Sequence, residues 1–297
     1  QFAVRLPQHK DRALKREACH DDGDDQVRPA GAGAEHAERS EQHGEIAEHV
    51  VARADPGRAH VGVAGAIGPQ DREGCGVGGE RGAVEVIALS QGHYDHTGGL
   101  PIALAAARGP VAVHLHPDAL QPKYNGTRFL GMPPAARAAL AGPHAQLAEP
   151  PAPGEILPGL FLSGEIPRHH PEEALAEIFH LDPDGRAVDP LLDDQSLYFD
   201  TPEGVVVLLG CAHAGVIHIL EHVRTLTNGR PLRAVLGGLH LGHANEARLG
   251  WVIEQLREFH PRLLVSMHCT GPRAAAALWT AFPEACRPGG AGAVFDF

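Results

Sequence analysis

The stretch Ala88–Leu100, ALSQGHYDHTGGL, decides how the rest of the chain is read. It starts at the end of Ala83–Leu89, AVEVIAL, an apolar run with the length and composition of a buried strand. Directly after that strand, His93, Asp95 and His96 fall in one short turn bounded by glycines. Imidazole and carboxylate are the groups a protein offers to Zn²⁺ or Fe²⁺. On a regular strand adjacent side chains point to opposite faces, whereas a loop after the strand lets neighbours turn inward together. Gly98 and Gly99 then allow a tight entry into a helix that starts near Pro101.

The same placement recurs further along. His213 lies in Leu208–Gly215 (LLGCAHAG) after the run GVVVLLG, and His268 lies in Leu263–Gly271 (LLVSMHCTG) at the end of another apolar run. His240, in Val235–Leu241 (VLGGLHL), also follows a strand-like segment. Side chains at the C-terminal ends of separate strands converge on one edge of a sheet, where open α/β sheets place their sites. The spacing therefore predicts a metal site. His114, His116, His169, His170, His218 and His243 are read as ordinary polar residues, and Cys211 and Cys269 as small packing thiols.

Composition narrows the function classes. A chain of 297 residues can bury a substantial core, and a formal net charge of −12 argues against a nucleic-acid-binding surface. No apolar run reaches bilayer-spanning length, so neither a membrane nor nucleic acid is an expected partner, and a cytoplasmic enzyme acting on a small molecule is expected. The first residue is Gln1 rather than Met, so a leader could precede it. Five cysteines without a CxxC pair suggest neither a disulfide framework nor a thiolate zinc site.

The chain changes character near residue 82. Residues 1–82 mix Ala, Gly, Arg, Asp, Glu and His, carry Phe2 as their sole aromatic residue, and show only a weak helical tendency over Glu45–Ala54. Disorder is expected there. From 83 to 297 the pattern is α/β. Strands are expected at PVAVHLHP, at a hairpin SLYFDTPEGVVVLLG, at LRAVLGG, RLLVSMH and GAVFDF. Helices are expected at GLPIALAAARG, PPAARAALAG, VIHILEHVRTLT, NEARLGWVIEQLREF and PRAAAALWTAF. The Pro- and Gly-rich middle, about residues 121–194, is expected to be mostly loop.

At this point the residues resemble the metallo-β-lactamase superfamily, whose HxHxDH motif HYDHTGGL resembles from its second histidine onward. GEIPR at Gly164–Arg168, GCAHAG around His213, GGLHL around His240 and HCTG at His268 resemble one branch, the dihydropterin ribofuranosyl-aminobenzene phosphate synthases of methanopterin biosynthesis. The resemblance runs from about residue 83 to the end. It implies an αββα sandwich with one or two divalent ions, zinc first, with iron or manganese as alternatives. His93 and His213 would hold the first ion, and Asp95, His96 and His268 the second. Asp95 and His240 would be the catalytic groups, with His240 near the substrate. Arg168 would either grip a phosphate or carboxylate, such as that of a phosphorylated substrate, or make a surface ion pair. The implied chemistry is hydrolysis by metal-activated hydroxide or a synthase reaction on pterin and phosphoribose compounds.

Two departures from the family pattern matter. Gln91 stands where the motif has its first histidine, which predicts a weakened first site and, as the rival reading, a catalytically impaired remnant. In addition, nothing in residues 1–82 resembles the strand-rich start of relatives, so the N-terminal half-sheet is poorly supported. Its composition looks like a GC-rich coding region read in the wrong frame.

Overall fold

The computed structural model describes residues 49–55, 58–64, 86–107, 109–148, 153–175, 177–290, 293, 295 and 297, which all fall in one compact unit. The strands are β1 (His49–Asp55), β2 (Arg58–Ala64), β3 (Val86–Ala88), β4 (Val111–His114), β5 (Tyr124–Asn125), β6 (Arg128–Phe129), β7 (Ala145–Leu147), β8 (Gly154–Leu157), β9 (Leu160–Leu162), β10 (Leu197–Thr201), β11 (Gly204–Leu208), β12 (Leu232–Gly238) and β13 (Leu263–Met267). The α-helices are α1 (Tyr94–Thr97), α2 (Leu100–Ala106), α3 (Pro134–Leu140), α4 (Val216–Leu226), α5 (Glu246–Phe259) and α6 (Pro272–Ala281).

Two large sheets result, ordered β2-β1-β3-β4-β7 and β13-β12-β11-β10-β9-β8, with β5 and β6 forming a separate two-stranded ribbon. In the first, β3, β4 and β7 run parallel, and β1 joins β3 antiparallel. In the second, β11, β12 and β13 run parallel, and the other neighbours are antiparallel. The layers follow from which faces are apolar. Val86 of β3 packs with Leu160, Leu197, Phe199, Val206, Leu236 and Val265 of the second sheet, so the sheets face one another. Ile87 and Val113 turn outward onto Leu100 and Leu104 of α2 and Ala136 of α3. Val207 and Val235 turn the other way, onto Ile219 of α4, Val252 of α5 and Leu278 of α6. The order of layers is helix, sheet, sheet, helix: the expected αββα sandwich.

Local signals place the helices. Asn245 caps α5 by accepting from Arg248 N at 2.8 Å. After α4, Asn228 and Gly229 take left-handed backbone, and Gly229 N donates to Arg224 O at 2.8 Å, the expected helix stop.

Two expectations need correction, whereas the middle of the chain is mostly loop as expected, with α3 on PPAARAALAG and the short strands β5 to β9 set within it. The GAVFDF strand is not formed at its described residues, 293, 295 and 297, although Phe295 is buried in the inter-sheet core. Finally, disorder and the weak helix at Glu45–Ala54 give way to a hairpin: β1 pairs with β2 from His49↔Ala64 to Asp55↔Arg58. β-Branched Val50, Val51, Val61 and Val63 suit strands, and pairing with β3 adds a tertiary term that local propensity does not weigh. The remainder of residues 1–82, and with it most of the aberrant-frame expectation, lies outside the described residues.

Candidate metal centre

Each candidate ligand sits where a strand of the paired sheets ends. β3 runs into Ser90–His93 and then α1, which carries Asp95 and His96. His213 follows β11, His240 follows β12, and His268 follows β13. Three residues at these strand ends hold left-handed backbone although none is glycine: Ala212 (φ 58°), His240 (φ 47°) and His268 (φ 49°). Such conformations cost about 1–3 kcal/mol each and persist where surrounding structure enforces them.

The donors form two adjoining groups. Asp95, His96, Cys211 and His268 each bring one ligand atom within 4.8 Å of the others. Asp95 Oδ2 lies 3.4 Å from His268 Nε2 and 3.6 Å from His96 Nε2. His96 Nε2 is 3.0 Å from Cys211 Sγ, and its Nδ1 is 3.0 Å from Ser90 Oγ. The second group is Cys211, His213 and His240, with the His213 and His240 rings 4.1 Å apart. Cys211 belongs to both groups. The expected convergence is therefore present for Asp95, His96 and His268. His93 lies beside His213 (ring centroids 5.0 Å), outside both groups.

These donors fit a divalent cation. His93 Nε2, His213 Nδ1 and His240 Nδ1 are buried without a hydrogen-bond partner, an expensive state for neutral imidazoles unless something else occupies the lone pair or takes the proton. Burial lowers the pKa of His93 and, further, that of His213, where the neighbouring His240 and His93 add to the effect. Both are thus held in the neutral form that binds metal. Burial alone would raise Asp95, but His268, His96 and His93 outweigh it and hold the carboxyl well below its ordinary range. Cys211 is pushed up by burial, whereas Cys269, against Cys211 and His240, is drawn down. A thiol in reach of both donor groups was read from sequence as packing; the GCAHAG run, with Cys two residues before His213, was the available signal.

Gln91 is 1% exposed, and neither amide atom has a partner. The ligand loop around it is pinned by a buried network that sequence reasoning missed. Asp193 Oδ2 accepts from Gly92 N at 2.7 Å, while its Oδ1 accepts from Lys123 Nζ at 2.8 Å. Lys123, itself fully buried, also donates to Asp189 Oδ2 at 2.9 Å. Gly92 is required here, since a Cβ would lie 2.3 Å from Ala119 O. Asp194, pushed up to about 6 chiefly by burial, accepts from Ala214 N at 2.8 Å beside His213.

Arg168 lines the cavity beside His213 and makes no surface ion pair among the described residues. Its guanidinium donates to Pro190 O at 2.6 Å and Leu191 O at 2.5 Å, so it holds a loop. The unspent guanidinium is Arg248 of α5, 8% exposed, with Nε and Nη2 unpaired. Glu173, Cys269 and Glu177 lie in its electrostatic neighbourhood. A cavity of about 520 Å³ opens beside His213, walled by Leu175, Phe179, Glu173, Glu177 and Leu191. Glu177 also faces His240 Nε2 at 3.4 Å. Among the described residues no helix is long and apolar enough to cross a membrane.

No protein-family model matches the chain. An uncharacterised protein of Methanocaldococcus jannaschii is 30% identical over 208 residues, 70% of this chain and 77% of that protein. The 7,8-dihydropterin-6-methyl-4-(β-D-ribofuranosyl)-aminobenzene-5′-phosphate synthase of the same organism is 25% identical over 68% of this chain and 71% of the synthase. Among solved structures, a metal-dependent hydrolase of the β-lactamase superfamily superposes with a TM-score of 0.61 at 22% identity, covering 85% of this chain and 99% of that one.

Proposed function

The chain belongs to the metallo-β-lactamase superfamily, and from that premise we propose that it is a metal-dependent enzyme acting on a small anionic molecule. One observation carries the reading: Asp95, His96, Cys211 and His268, from three distant segments, present four ligand atoms within 4.8 Å of one another. His213 and His240 extend that set, and His93 stands beside His213. A divalent ion, with zinc the first choice and iron or manganese as alternatives, would supply Lewis acidity and an acidified water at neutral pH.

The chain's own residues do the rest. Asp95, ionised and fixed between His96 and His268, serves as ligand and orients the attacking nucleophile through its carboxylate. His240 faces Glu177 through Nε2 and is the group assigned to give a proton to the leaving atom. Arg168, which lines the cavity, is assigned to grip a phosphate or carboxylate of the substrate, and the two unpaired nitrogens of Arg248 are assigned to support that charge. The apolar wall of Leu175, Phe179 and Leu191 suits the non-ionic part of such a molecule and excludes water.

The donor geometry supports hydrolysis of an ester, lactone or phosphoester; the similarity to the methanopterin-pathway synthase supports a bond-forming reaction on a phosphorylated pterin-type compound instead. Turnover by protein loaded in turn with zinc, manganese and iron, on lactone, phosphodiester and pterin–phosphoribose panels, separates them. Metal-dependent turnover that disappears in Asp95→Asn is expected on one panel. Gln91 favours a second reading, an impaired metal-binding remnant, because its amide cannot replace an imidazole. Protein with stoichiometric metal and no turnover on any panel would establish that reading in place of the first.

A further inference from the structure

Outside the strand-end donors, a second cluster of ligand atoms lies on the outer helical layer. Helix α4 carries His218 and Glu221 three residues apart, hence on one face. His218 Nδ1 lies 2.7 Å from Ala214 O, and its Nε2 accepts from the backbone N–H groups of both His169 (2.9 Å) and His170 (2.7 Å). Those contacts fix the tautomer: Nδ1 carries the proton and Nε2 is the acceptor. One neutral imidazole therefore clamps two successive backbone amides of the neighbouring loop. Its effect is to hold two further imidazoles side by side, with ring centroids 4.3 Å apart. His170 is further restrained between His218 (5.1 Å) and Trp251 of α5 (5.2 Å).

Both loop imidazoles aim at one atom. His169 Nε2 lies 2.7 Å and His170 Nε2 2.9 Å from the same Oε2 of Glu221. Two nitrogens and one oxygen, all within 4.8 Å, make a three-donor set on a clamped support. We propose that His169, His170 and Glu221 form a separate binding site for a divalent cation of the zinc class. Two imidazoles with one carboxylate suit Zn²⁺ and its transition-metal neighbours and disfavour Mg²⁺ or Ca²⁺, which take oxygen ligands. The side chains of His170 and Glu221 are a quarter exposed, and that of His169 is about half exposed. Solvent can therefore complete the coordination sphere. His169 and His170 also line the cavity beside His213, which places the cation on the cavity rim.

The test counts zinc. Metal-stripped wild type, Glu221→Gln and His170→Asn are titrated with Zn²⁺ against a competing chelator, with thermal melts recorded in parallel. Each variant is expected to bind one equivalent fewer than wild type, with the remaining equivalents unchanged in affinity. Equal stoichiometry in wild type and Glu221→Gln would overturn the site. Glu221→Gln keeps size and shape at a partly exposed position, so it answers the question even if His170→Asn disturbs packing against Trp251. The strand-end donors are intact in both variants, so a failure of the main centre and a failure of this site give different counts.

Discussion

Asp193 and Asp194, adjacent in sequence, each hold a different ligand loop: Asp193 accepts from Gly92 N beside His93, and Asp194 accepts from Ala214 N beside His213. The next residue continues the stitch, since Gln195 N donates to Ser90 O and its Nε2 to Leu89 O, each at 2.9 Å. The loop after β3 in the first sheet and the loop after β11 in the second are thus tied to one short segment. That tie places donors from both sheets beside one another, and it accounts for the burial of Asp193, Asp194 and Gln195 in succession.

Asp193→Ala should destabilise the fold by about 3 kcal/mol or more, because it strips one of two partners from a fully buried lysine and orphans Gly92 N. Asp200→Ala, which breaks an exposed pair with Arg230, should cost about 1 kcal/mol or less. Urea denaturation of both variants checks the contrast, and similar midpoints would remove the structural role given to Asp193.

Gln91→His should raise the number or the affinity of bound metal ions. The present side chain has two buried amide atoms without partners, in the position where the family motif has a ligand. Metal per chain after dialysis is the readout, and an unchanged value would mean that position 91 does not face the ion.

Glu173 sets a pH dependence of stability. It accepts from Ile217 N and His218 N at the start of α4, yet burial outweighs these bonds and pushes its carboxyl from the ordinary 4.5 up to about 7. The folded carboxyl then keeps its proton where the unfolded one has lost it. Its contribution is complete below about pH 4.5 and fades as pH rises through 7, by about 3 kcal/mol in all. Glu173→Gln should flatten that fall in denaturation curves taken from pH 4.5 to 8. Gly215→Ala should be more damaging than a usual surface change, because its backbone is at φ 103° and a Cβ would lie 2.3 Å from Glu173 Oε2.

Arg248→Met should lower kcat/KM for anionic substrates roughly 10- to 100-fold, the scale of a lost charged hydrogen bond, while leaving the melting temperature unchanged or higher. A buried guanidinium with two unpaired nitrogens contributes little to the empty fold. A large loss of stability would instead mark Arg248 as a structural partner of Glu173 or Glu177.

The convergence of the candidate donors was legible because it obeys a local rule: His213, His240 and His268 each follow an apolar strand, and strand ends share an edge. The helices were legible for similar reasons, from apolar spacing and from Asn228-Gly229. What escaped was long-range. Lys123, Asp189 and Asp193 are ordinary polar letters until the fold buries them together, and nothing local to Arg248 shows that its guanidinium is buried with unpaired nitrogens. Cys211 reads locally as a packing thiol because small buried thiols are common after strands, and the donors within reach of it come from segments far along the chain. His169 and His170 carried no strand-end signal at all; their role depends on α4 passing beneath them.

The central claim is best tested by anomalous diffraction at the zinc edge from crystals of the zinc-loaded protein. A peak is expected within coordinating distance, about 2.0–2.3 Å, of ligand atoms from Asp95, His96 and His268, with Cys211 or His213 adjoining it. Fully loaded protein whose zinc peaks all lie away from these side chains would contradict the account.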